Sequence, residues 1–337
     1  MRALVTTAHG ERGVLQLATD FEKPAPQIGE VLIRVAYTAV NYHDIFTRRG
    51  MPGIRVPLPI IVGSDIAGEI EAVGEGARRF KPGDRVMVDP YDPTNTRFGL
   101  IGETRHGGRA QYVCVPETQA VRVPDAVKLE AAASLPLAYA TALRMLERAS
   151  IRPGERVLVL GASGGVGVAC VQLAKMMGAE VAACASTADK VERLRLLGAD
   201  HLINYAERNF SGAVHDLFGK PRITGGGGVD VAVNFTGGDT WLDTQRSVCL
   251  GGRIVTCGST AGAMLATDAR FLWMFEHSIL GSRGWQRSDL LRLLDMIAEG
   301  RLAPVIEDIL PLEDGAEAER RLEEREVFGK LLLDPWT

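Results

Sequence analysis

The segment from Val157 to Gly167 constrains the fold more than any other part of this sequence. It runs from the aliphatic residues Val157-Leu158-Val159-Leu160 into the glycine turn Gly161-Ala162-Ser163-Gly164-Gly165-Val166-Gly167. The aliphatic run favours a buried strand, and the residues from Val168 to Met177 follow a helical pattern. Glycines let a backbone approach a pyrophosphate closely, and a helix N-terminus offers it unpaired N–H groups and a positive dipole end. The segment therefore predicts a dinucleotide site formed by Ala162, Ser163, Gly164, Gly165, Val166 and Gly167.

Ala162 replaces the first glycine of the usual G-x-G-x-x-G pattern, so the turn alone is a weak indication of a dinucleotide site. The segments that follow the turn support the interpretation. A second strand over Glu180–Cys184 follows at the expected distance, and a helix near Asp189–Leu196 ends before Gly198. Strands and helices go on alternating, which is typical of a parallel sheet covered on both faces. The later strands are expected at His201–Ile203, Val229–Asn234, Arg253–Cys257 and Ser278–Gly281.

The composition limits the classes of protein to which the chain can belong. The chain has 337 residues, of which 46% are hydrophobic and 24% charged, enough for two domains with their own cores. A net charge of −4 with scattered Lys and Arg gives no basic surface for nucleic acid. The odd number of cysteines, five, and their apolar surroundings favour reduced thiols over a disulfide framework, as in a cytoplasmic protein. We also expect no membrane association, because no apolar run reaches spanning length.

The composition and the hydrophobic pattern of the sequence change along the chain. Residues 1–125 contain many glycines, prolines and short alternating segments such as Val31–Ala36, which predict a mainly β domain. Residues 126–282 carry the alternating strands and helices of a doubly wound α/β domain. The last residues, 283–337, return to the first domain in this interpretation, through a helix near Asp289–Glu299 and a closing strand at Lys330–Leu333.

Several motifs occur together in one order along the chain. They are Asn41-Tyr42-His43-Asp44 with Arg48 and Gly50, the segment from Gly63 to Gly74, Lys81-Pro82-Gly83-Asp84-Arg85-Val86, and the glycine turn. With these motifs the chain resembles the medium-chain dehydrogenase/reductase superfamily, and within it the zinc-free quinone oxidoreductases. The resemblance implies a GroES-like catalytic domain split by a Rossmann domain, with the active site in the cleft between them. It also implies homodimers or homotetramers joined through the Rossmann sheets.

The resemblance also addresses metal binding. The positions that hold catalytic zinc in zinc-dependent relatives fall here on Asn41, Ser64 and Leu137, which supply no thiolate or imidazole. The lobe that carries four structural cysteines in some relatives falls at 90–108, and this segment contains no cysteine. We therefore expect no zinc. A residual metal site formed by His43, Asp44 and Asp65 is the alternative, although both aspartates match supporting rather than ligating positions.

The end of the second strand indicates which dinucleotide binds. NAD-specific Rossmann proteins place a carboxylate there for the ribose hydroxyls, whereas this chain has Ala185-Ser186-Thr187. Ser186, Lys190 and Tyr205 match the residues that hold the 2′-phosphate of NADPH in quinone oxidoreductases, and the alternative for Lys190 is a solvated helix residue. By the same resemblance further cofactor contacts are assigned to Asn234, Thr236, Cys257, Gly258, Ser259 and Lys330.

A metal-free site can still reduce an acceptor that is already electrophilic, such as a quinone or an α,β-unsaturated carbonyl compound. Asn41 is the predicted hydrogen-bond donor to the acceptor's oxygen or to the nicotinamide ribose, and Tyr42 is a further donor. His43 is the predicted proton donor. The alternative for His43 is a packed or ribose-binding histidine. Two alternative functions remain: a carbonyl or alcohol dehydrogenase, and a catalytically idle NADPH-binding protein. A fatty-acyl role is less favoured, because Met51–Ile54 lacks the tyrosine of enoyl-thioester reductases.

Overall fold

The computed structural model describes residues 1–51, 55–92 and 99–337. Two compact units make up the chain. Unit 1 contains Met1–Ala138 and Arg287–Thr337, and unit 2 contains Tyr139–Gln286. The boundaries between the units thus follow residues 138 and 286, whereas the sequence predicted domain boundaries after residues 125 and 282.

The described residues form strands and helices in chain order. The strands are β1 (Ala3–Thr6), β2 (Leu15–Ala18), β3 (Glu30–Ala39), β4 (Ile60–Ile61), β5 (Asp65–Val73), β6 (Arg85–Val88), β7 (Tyr112–Pro116), β8 (Ala120–Arg122), β9 (Arg156–Val159), β10 (Glu180–Ala185), β11 (His201–Asn204), β12 (Val229–Val233), β13 (Val248–Thr256), β14 (Ser278–Gly281), β15 (Ile306–Pro311) and β16 (Lys330–Asp334). The α-helices are α1 (Tyr42–Arg49), α2 (Leu129–Ala133), α3 (Ala140–Arg148), α4 (Gly165–Met176), α5 (Ala188–Leu196), α6 (Phe210–Phe218), α7 (Thr240–Ser247), α8 (Ala269–Met274), α9 (Arg287–Ala298) and α10 (Gly315–Glu323).

Unit 2 is a doubly wound α/β domain, as the sequence predicted. Its described strands form one parallel sheet in the order β11-β10-β9-β12-β13-β14, which is the Rossmann order. The central strands are buried on both faces. Val157 and Leu158 of β9, for example, are successive residues that face opposite sides of the sheet, and neither has exposed surface. Because the strands are parallel, all their carboxyl ends lie along one edge of the sheet, where ligands bind in such folds.

One helix boundary differs from the expectation. The periodicity placed the start of the helix after the glycine turn at Val168, whereas α4 already begins at Gly165. Gly165 and Gly167 lie in the first turn of α4, but glycine has a low helix propensity, so these residues do not predict a helix.

Unit 1 is mainly β. A larger sheet has the order β15-β16-β3-β5-β6-β8, with β7 also paired to β3, and a smaller one has the order β2-β1-β4, counted over the described strands. The last strand of the chain lies within the larger sheet, where Leu332 of β16 is opposite Ala39 of β3. The C-terminal segment therefore belongs to the same unit as the N-terminal residues.

Local packing explains where unit 1 ends. Helix α2 packs against β3, β5 and β6, so the residues after 125 remain part of this unit. The guanidinium of Arg287 donates to the carbonyl oxygens of Thr118 and Ala120, both at 2.6 Å, which ties the start of α9 to the same unit. No helix among the residues described is both long and apolar enough to cross a bilayer.

Candidate active site and nucleotide-binding turn

The predicted catalytic residues lie at the junction of β3 and α1. Asn41 is the N-cap of α1, with extended backbone angles (φ −126°, ψ 152°), and its N–H donates to Oδ2 of Asp44 at 2.9 Å. In a capping box the side chain at the third helical position accepts the N–H of the N-cap, so this hydrogen bond helps to start the helix. It places Tyr42 and His43 in the first turn, where the Tyr42 ring packs edge-on against Phe46 at 5.2 Å.

Lys330 of β16 reaches the same place from the other end of the chain. Its side chain is 3% exposed, and Nζ donates to Oδ1 of Asn41 and, at 3.3 Å each, to the carbonyl oxygen of Val40 and Oδ2 of Asp65. Oδ1 of Asp65 accepts the N–H of Leu137 at 2.8 Å. Burial raises the pKa of Asp65, while the charge of Lys330 opposes that shift. The resemblance assigned Lys330 to the cofactor, whereas its described contacts are all within unit 1.

The contact with Lys330 determines how the Asn41 amide is presented. Because Oδ1 accepts from the ammonium group, the other end of the amide, Nδ2, is left as a donor. Nδ2 is buried and forms no hydrogen bond with the described residues, and the same holds for Oγ of Ser64. A buried donor without a partner costs about 1–3 kcal/mol, so such atoms are expected where a ligand completes the hydrogen bond.

His43 pairs with a residue that the sequence did not identify as functional. Its Nε2 lies 2.6 Å from Oε1 of Glu103, and Oε2 of Glu103 accepts the N–H of Leu100 at 2.8 Å. The His43 side chain is 23% exposed and that of Glu103 is 3% exposed. Burial alone would lower the pKa of His43, but the hydrogen bond to Glu103 and the charges of Glu103, Asp44 and Asp65 raise it above its usual range. The pKa of Glu103 is lowered by His43 and the Leu100 N–H despite burial.

A buried ionic network supports α1 from behind. Arg109 donates to Oδ2 of Asp44 at 3.0 Å and to Oε1 of Glu319 at 2.5 Å, and Arg48 donates to Oε2 of Glu319 at 2.6 Å. The side chains of Arg48, Arg109 and Glu319 have no exposed surface. Asp44 thus braces the turn, as expected from the sequence, rather than acting as a base.

The donor set at this place does not fit a catalytic zinc ion. Leu137 has no ligand atom, Oδ1 of Asn41 and Oδ2 of Asp65 accept from Lys330, and Nε2 of His43 is bonded to Glu103. Across the described ranges no three His, Cys, Asp or Glu side chains come together as metal ligands. The alternative site formed by His43, Asp44 and Asp65 has the same difficulty, because salt bridges hold both aspartates.

The glycine turn of unit 2 fits a pyrophosphate. Gly164 is the N-cap of α4 and no side chain caps the helix, so its first N–H groups remain free for an anion. A Cβ on Gly167 would lie 2.2 Å from the carbonyl oxygen of Gly161, so only glycine allows this tight turn. A Cβ on Gly164 would meet nothing closer than 3.7 Å, which leaves that face of the turn open. Ser163, Gly165 and Val166 are only half-buried.

The residues of the predicted 2′-phosphate clamp lie at adjacent strand ends. Ala185 of β10 is opposite Asn204 of β11, and the N–H of Tyr205 donates to the carbonyl oxygen of Ala185 at 3.0 Å. Ser186 and Tyr205 therefore follow neighbouring positions at the same edge of the sheet. Lys190 lies in the first turn of α5, and its residue is 8% exposed.

Two further loops end at this edge. The Asn234 side chain is saturated within the protein: Oδ1 accepts the N–H groups of Thr236 and Gly237 at 3.0 Å, and Nδ2 donates to two threonine hydroxyls. It shapes the loop, which leaves backbone groups and Thr236 for a ligand. Burial raises the pKa of Cys257 to about 12, so its thiol stays protonated near neutral pH. Cys257 and Ser259 are half-buried and Gly258 is exposed.

Comparison with known proteins agrees with both units. Residues 27–125 match the family model of the alcohol dehydrogenase GroES-like domain, and residues 165–299 match that of zinc-binding dehydrogenases. Acryloyl-coenzyme A reductase of Metallosphaera sedula is 31% identical over 350 aligned residues, covering 99% of each protein. Quinone oxidoreductase of Rattus norvegicus is 31% identical over 341 residues, covering 99% of this chain and 97% of the relative.

Similarity to solved structures extends over the same length. The crystal structure of an NAD-dependent alcohol dehydrogenase superimposes with a TM-score of 0.91 at 37% identity, covering 99% of each chain. The family matches confirm a GroES-like domain in unit 1 and a nucleotide-binding domain in unit 2. The chain belongs to the medium-chain dehydrogenase/reductase superfamily, whose members are oxidoreductases that use a nicotinamide cofactor.

Proposed function

We propose that the protein is a zinc-independent, NADPH-dependent reductase that transfers a hydride to a quinone or an α,β-unsaturated carbonyl compound. One observation carries the proposal: Lys330 bonds to Asn41 at a position where zinc-dependent relatives bind their metal, and the Nδ2 group of Asn41 is a buried donor with no hydrogen-bond partner among the described residues. The site is therefore suited to stabilise a developing oxyanion by hydrogen bonding instead of by a Lewis acid.

The chain's own residues have distinct roles in this mechanism. Reduced nicotinamide, when bound, supplies the hydride. Asn41 donates from Nδ2 to the oxygen on which negative charge develops, and one such fixed donor is typically worth about 10²–10³ in kcat. Tyr42 is the second donor, and His43 returns a proton to the reduced acceptor. Conjugated acceptors suit this site, since they need no metal to make them electrophilic.

The preference for NADPH is supported by the end of β10. Ser186 and Thr187, directly after this strand, supply no carboxylate of the kind that NAD-specific proteins place there. Asp189 in the first turn of α5 is a nearby negative charge that opposes a 2′-phosphate, and it lies next to Lys190 in the sequence. Ser186 and Tyr205 follow paired strand ends, and Lys190 lies in the adjacent first turn of α5. A lysine and two hydroxyl groups are suitable partners for a phosphate monoester.

The relatives extend the range of acceptors worth testing. An acryloyl thioester is itself an α,β-unsaturated carbonyl compound, so the mechanism above applies to it without change. The sequence argument against a fatty-acyl role depends on Met51–Ile54, of which residues 52–54 lie outside the described residues. Unsaturated thioesters therefore belong in the same panel as quinones and enones.

We further propose that the protein is a homodimer or homotetramer joined through the Rossmann sheets. Strand β14 is the last strand of its sheet, and its Ile279 is 40% exposed. Trp273 of the preceding α8 is 70% exposed. An apolar sheet edge of this kind is suited to pairing with a second copy.

The test is cofactor oxidation by chelator-treated protein, with NADPH and NADH in parallel. The acceptors are a naphthoquinone, a cyclic enone, crotonyl-coenzyme A and a saturated ketone, and Asn41→Leu is measured beside the natural chain. Turnover of a conjugated acceptor with NADPH, lowered at least about 10²-fold by Asn41→Leu, supports the proposal. Turnover of the saturated ketone alone favours an alcohol dehydrogenase. Saturable NADPH binding with no turnover at all favours the idle binding protein.

A further inference from the structure

We propose that Glu103 is the positioning residue for His43: its carboxylate holds the imidazole as the Nε2–H tautomer, so that Nδ1 is the nitrogen that exchanges a proton with the reduced acceptor. The inference rests on the proposed function. It adds a residue that neither the motifs of the sequence nor the resemblance assigned.

The geometry of Glu103 leaves little freedom to the pair. Oε1 lies 2.6 Å from Nε2 of His43, and Oε2 accepts the Leu100 N–H at 2.8 Å. Each carboxylate oxygen thus has its own donor. With a side chain 3% exposed, Glu103 is largely shielded from water that would compete for these hydrogen bonds. A carboxylate in this place accepts only, so the histidine nitrogen that faces it must carry a proton.

The second ring nitrogen has a different environment. Nδ1 of His43 forms no hydrogen bond with the described residues and is not among their buried, unpartnered atoms. The side chain is 23% exposed, so this nitrogen is open to solvent or to a bound acceptor. The two nitrogens are therefore divided between anchoring and proton exchange, as in other histidines whose tautomer a carboxylate determines.

Surrounding charges favour the protonated form of the ring. Glu103, Asp44 and Asp65 raise the pKa of His43 against the effect of burial. Two cations offset part of this field, because Arg109 bonds to Asp44 and Lys330 bonds to Asp65. Among the described residues Glu103 has no arginine or lysine as a hydrogen-bond partner, so it is the carboxylate whose removal should change His43 most.

His43 and the solvent together supply the proton that the reduced acceptor needs. The acceptor gains a hydride and becomes an enolate or hydroquinone anion. The Nδ1–H bond of the imidazolium breaks, its proton forms a C–H or O–H bond on that anion, and the ring becomes neutral with its proton still on Nε2. Water then reprotonates Nδ1. Glu103 stays ionised throughout, so it touches neither the substrate nor the transferred proton.

Glutamine is an informative replacement at this position. A glutamine oxygen can accept from Nε2 of His43 or from the Leu100 N–H, but not from both, and its NH₂ group then faces the other donor. Glu103→Gln therefore removes the charge and weakens tautomer control while keeping the size of the side chain. Glu180 offers a matched control, because its Oε1 lies 2.7 Å from Nε2 of His201 in unit 2, with side chains 40% and 27% exposed.

The experiment compares Glu103→Gln, His43→Asn, the double variant and Glu180→Gln in the chelator-treated full-length protein. We expect Glu103→Gln to lower kcat at least about tenfold, with a KM for NADPH within about twofold of the natural value, since a positioned general acid contributes about 10²–10⁴. The double variant should be no slower than His43→Asn alone, because Glu103 acts through His43. Glu180→Gln should be unchanged. Additive losses, or an unchanged kcat in folded Glu103→Gln, would overturn the proposal.

A second readout does not depend on turnover. The ¹⁵N shifts of the histidine ring nitrogens report tautomer and protonation directly. In the natural chain neutral His43 should carry its proton on Nε2, and in Glu103→Gln its titration should move to lower pH with a mixed tautomer. If no acceptor is reduced but these shifts are seen, the proposed function fails while the positioning role stands. If His43 has the same tautomer and titration in both proteins, the positioning role fails.

Discussion

Arg109 and Glu319 lie 210 positions apart in the sequence and form an ion pair, with Nη1 of Arg109 2.5 Å from Oε1 of Glu319. Neither side chain has any exposed surface. The other oxygen of Glu319 accepts from Arg48, and Arg109 also donates to Asp44. One carboxylate from α10 therefore compensates two arginines buried behind the helix that carries Asn41 and His43.

Removing that carboxylate should destabilise unit 1. Glu319→Ala leaves Arg48 and Arg109 with buried, partly uncompensated charge, and breaking a buried pair in this way costs about 3–5 kcal/mol. The free energy of unfolding from urea titration measures the loss. Glu317→Ala is the control on the same helix, because Glu317 pairs with Arg320 at the surface, where an ion pair contributes little, and it should change stability far less than Glu319→Ala. Equal losses for the two variants would contradict a structural role for the network.

Replacing Lys330 by methionine should lower kcat more than it changes NADPH affinity. The substitution keeps the length of the side chain but removes the donor to Oδ1 of Asn41 and the partner of Asp65. The Asn41 amide then turns freely, and we expect a loss of about tenfold or more in kcat. Lys330→Met with Asp65→Asn should recover stability, since no buried charge is left alone. A loss confined to the KM for NADPH would instead favour direct cofactor binding by Lys330.

Lys190→Ala should discriminate between the two cofactors. A charge-assisted hydrogen bond to phosphate is worth about 1.5–3 kcal/mol, so the Kd for NADPH should rise about 10- to 150-fold while that for NADH changes little. Fluorescence titration of both reduced cofactors measures the difference. Lys175→Ala serves as the control, because Lys175 pairs with Asp200 on the surface of the same unit. An equal weakening for NADPH and NADH would remove Lys190 from the clamp.

The activity should decline as pH rises through the pKa of His43. The imidazolium is the acid, and its pKa lies above the usual value of about 6.5, so kcat stays high below that pKa and falls above it. Stability follows the same sign. The raised pKa contributes stability that is fully present below about 6.5 and is lost as pH rises through the folded value. The stability difference between the natural chain and His43→Asn should therefore shrink with rising pH, and a constant difference would argue against the pair.

Much of unit 2 could be predicted from the sequence, because buried parallel strands are continuous aliphatic runs. Strand β12, for instance, spans Val229–Val233 in the structure, one residue shorter than the predicted Val229–Asn234. The beginning of α4 was misplaced because glycines that suit a phosphate turn are poor helix formers. Short strands such as β4 were not foreseen, since two residues carry no periodicity.

Only some residues of the candidate site could be predicted from the sequence. Asn41, Tyr42 and His43 are adjacent, so one motif displayed all three. Glu103 lies 60 positions from its partner His43, in a segment considered only as a lobe without cysteines, and no local pattern marks such a pairing. Lys330 was recognised as a site residue, but its contact with Asn41 depends on β16 lying beside β3.

The position of β16 within the sheet of unit 1 also determines when the site can form during synthesis. Unit 2 is a continuous segment, so it can fold as soon as residue 286 has left the ribosome. Unit 1 cannot, because Glu319 and Lys330 follow unit 2 in the chain and leave the ribosome only after it. Until then Arg48 and Arg109 lack their shared carboxylate, and Asn41 lacks the ammonium group that orients it. Unit 2, with its glycine turn, can thus be folded in a nascent chain before the candidate site of unit 1 is complete.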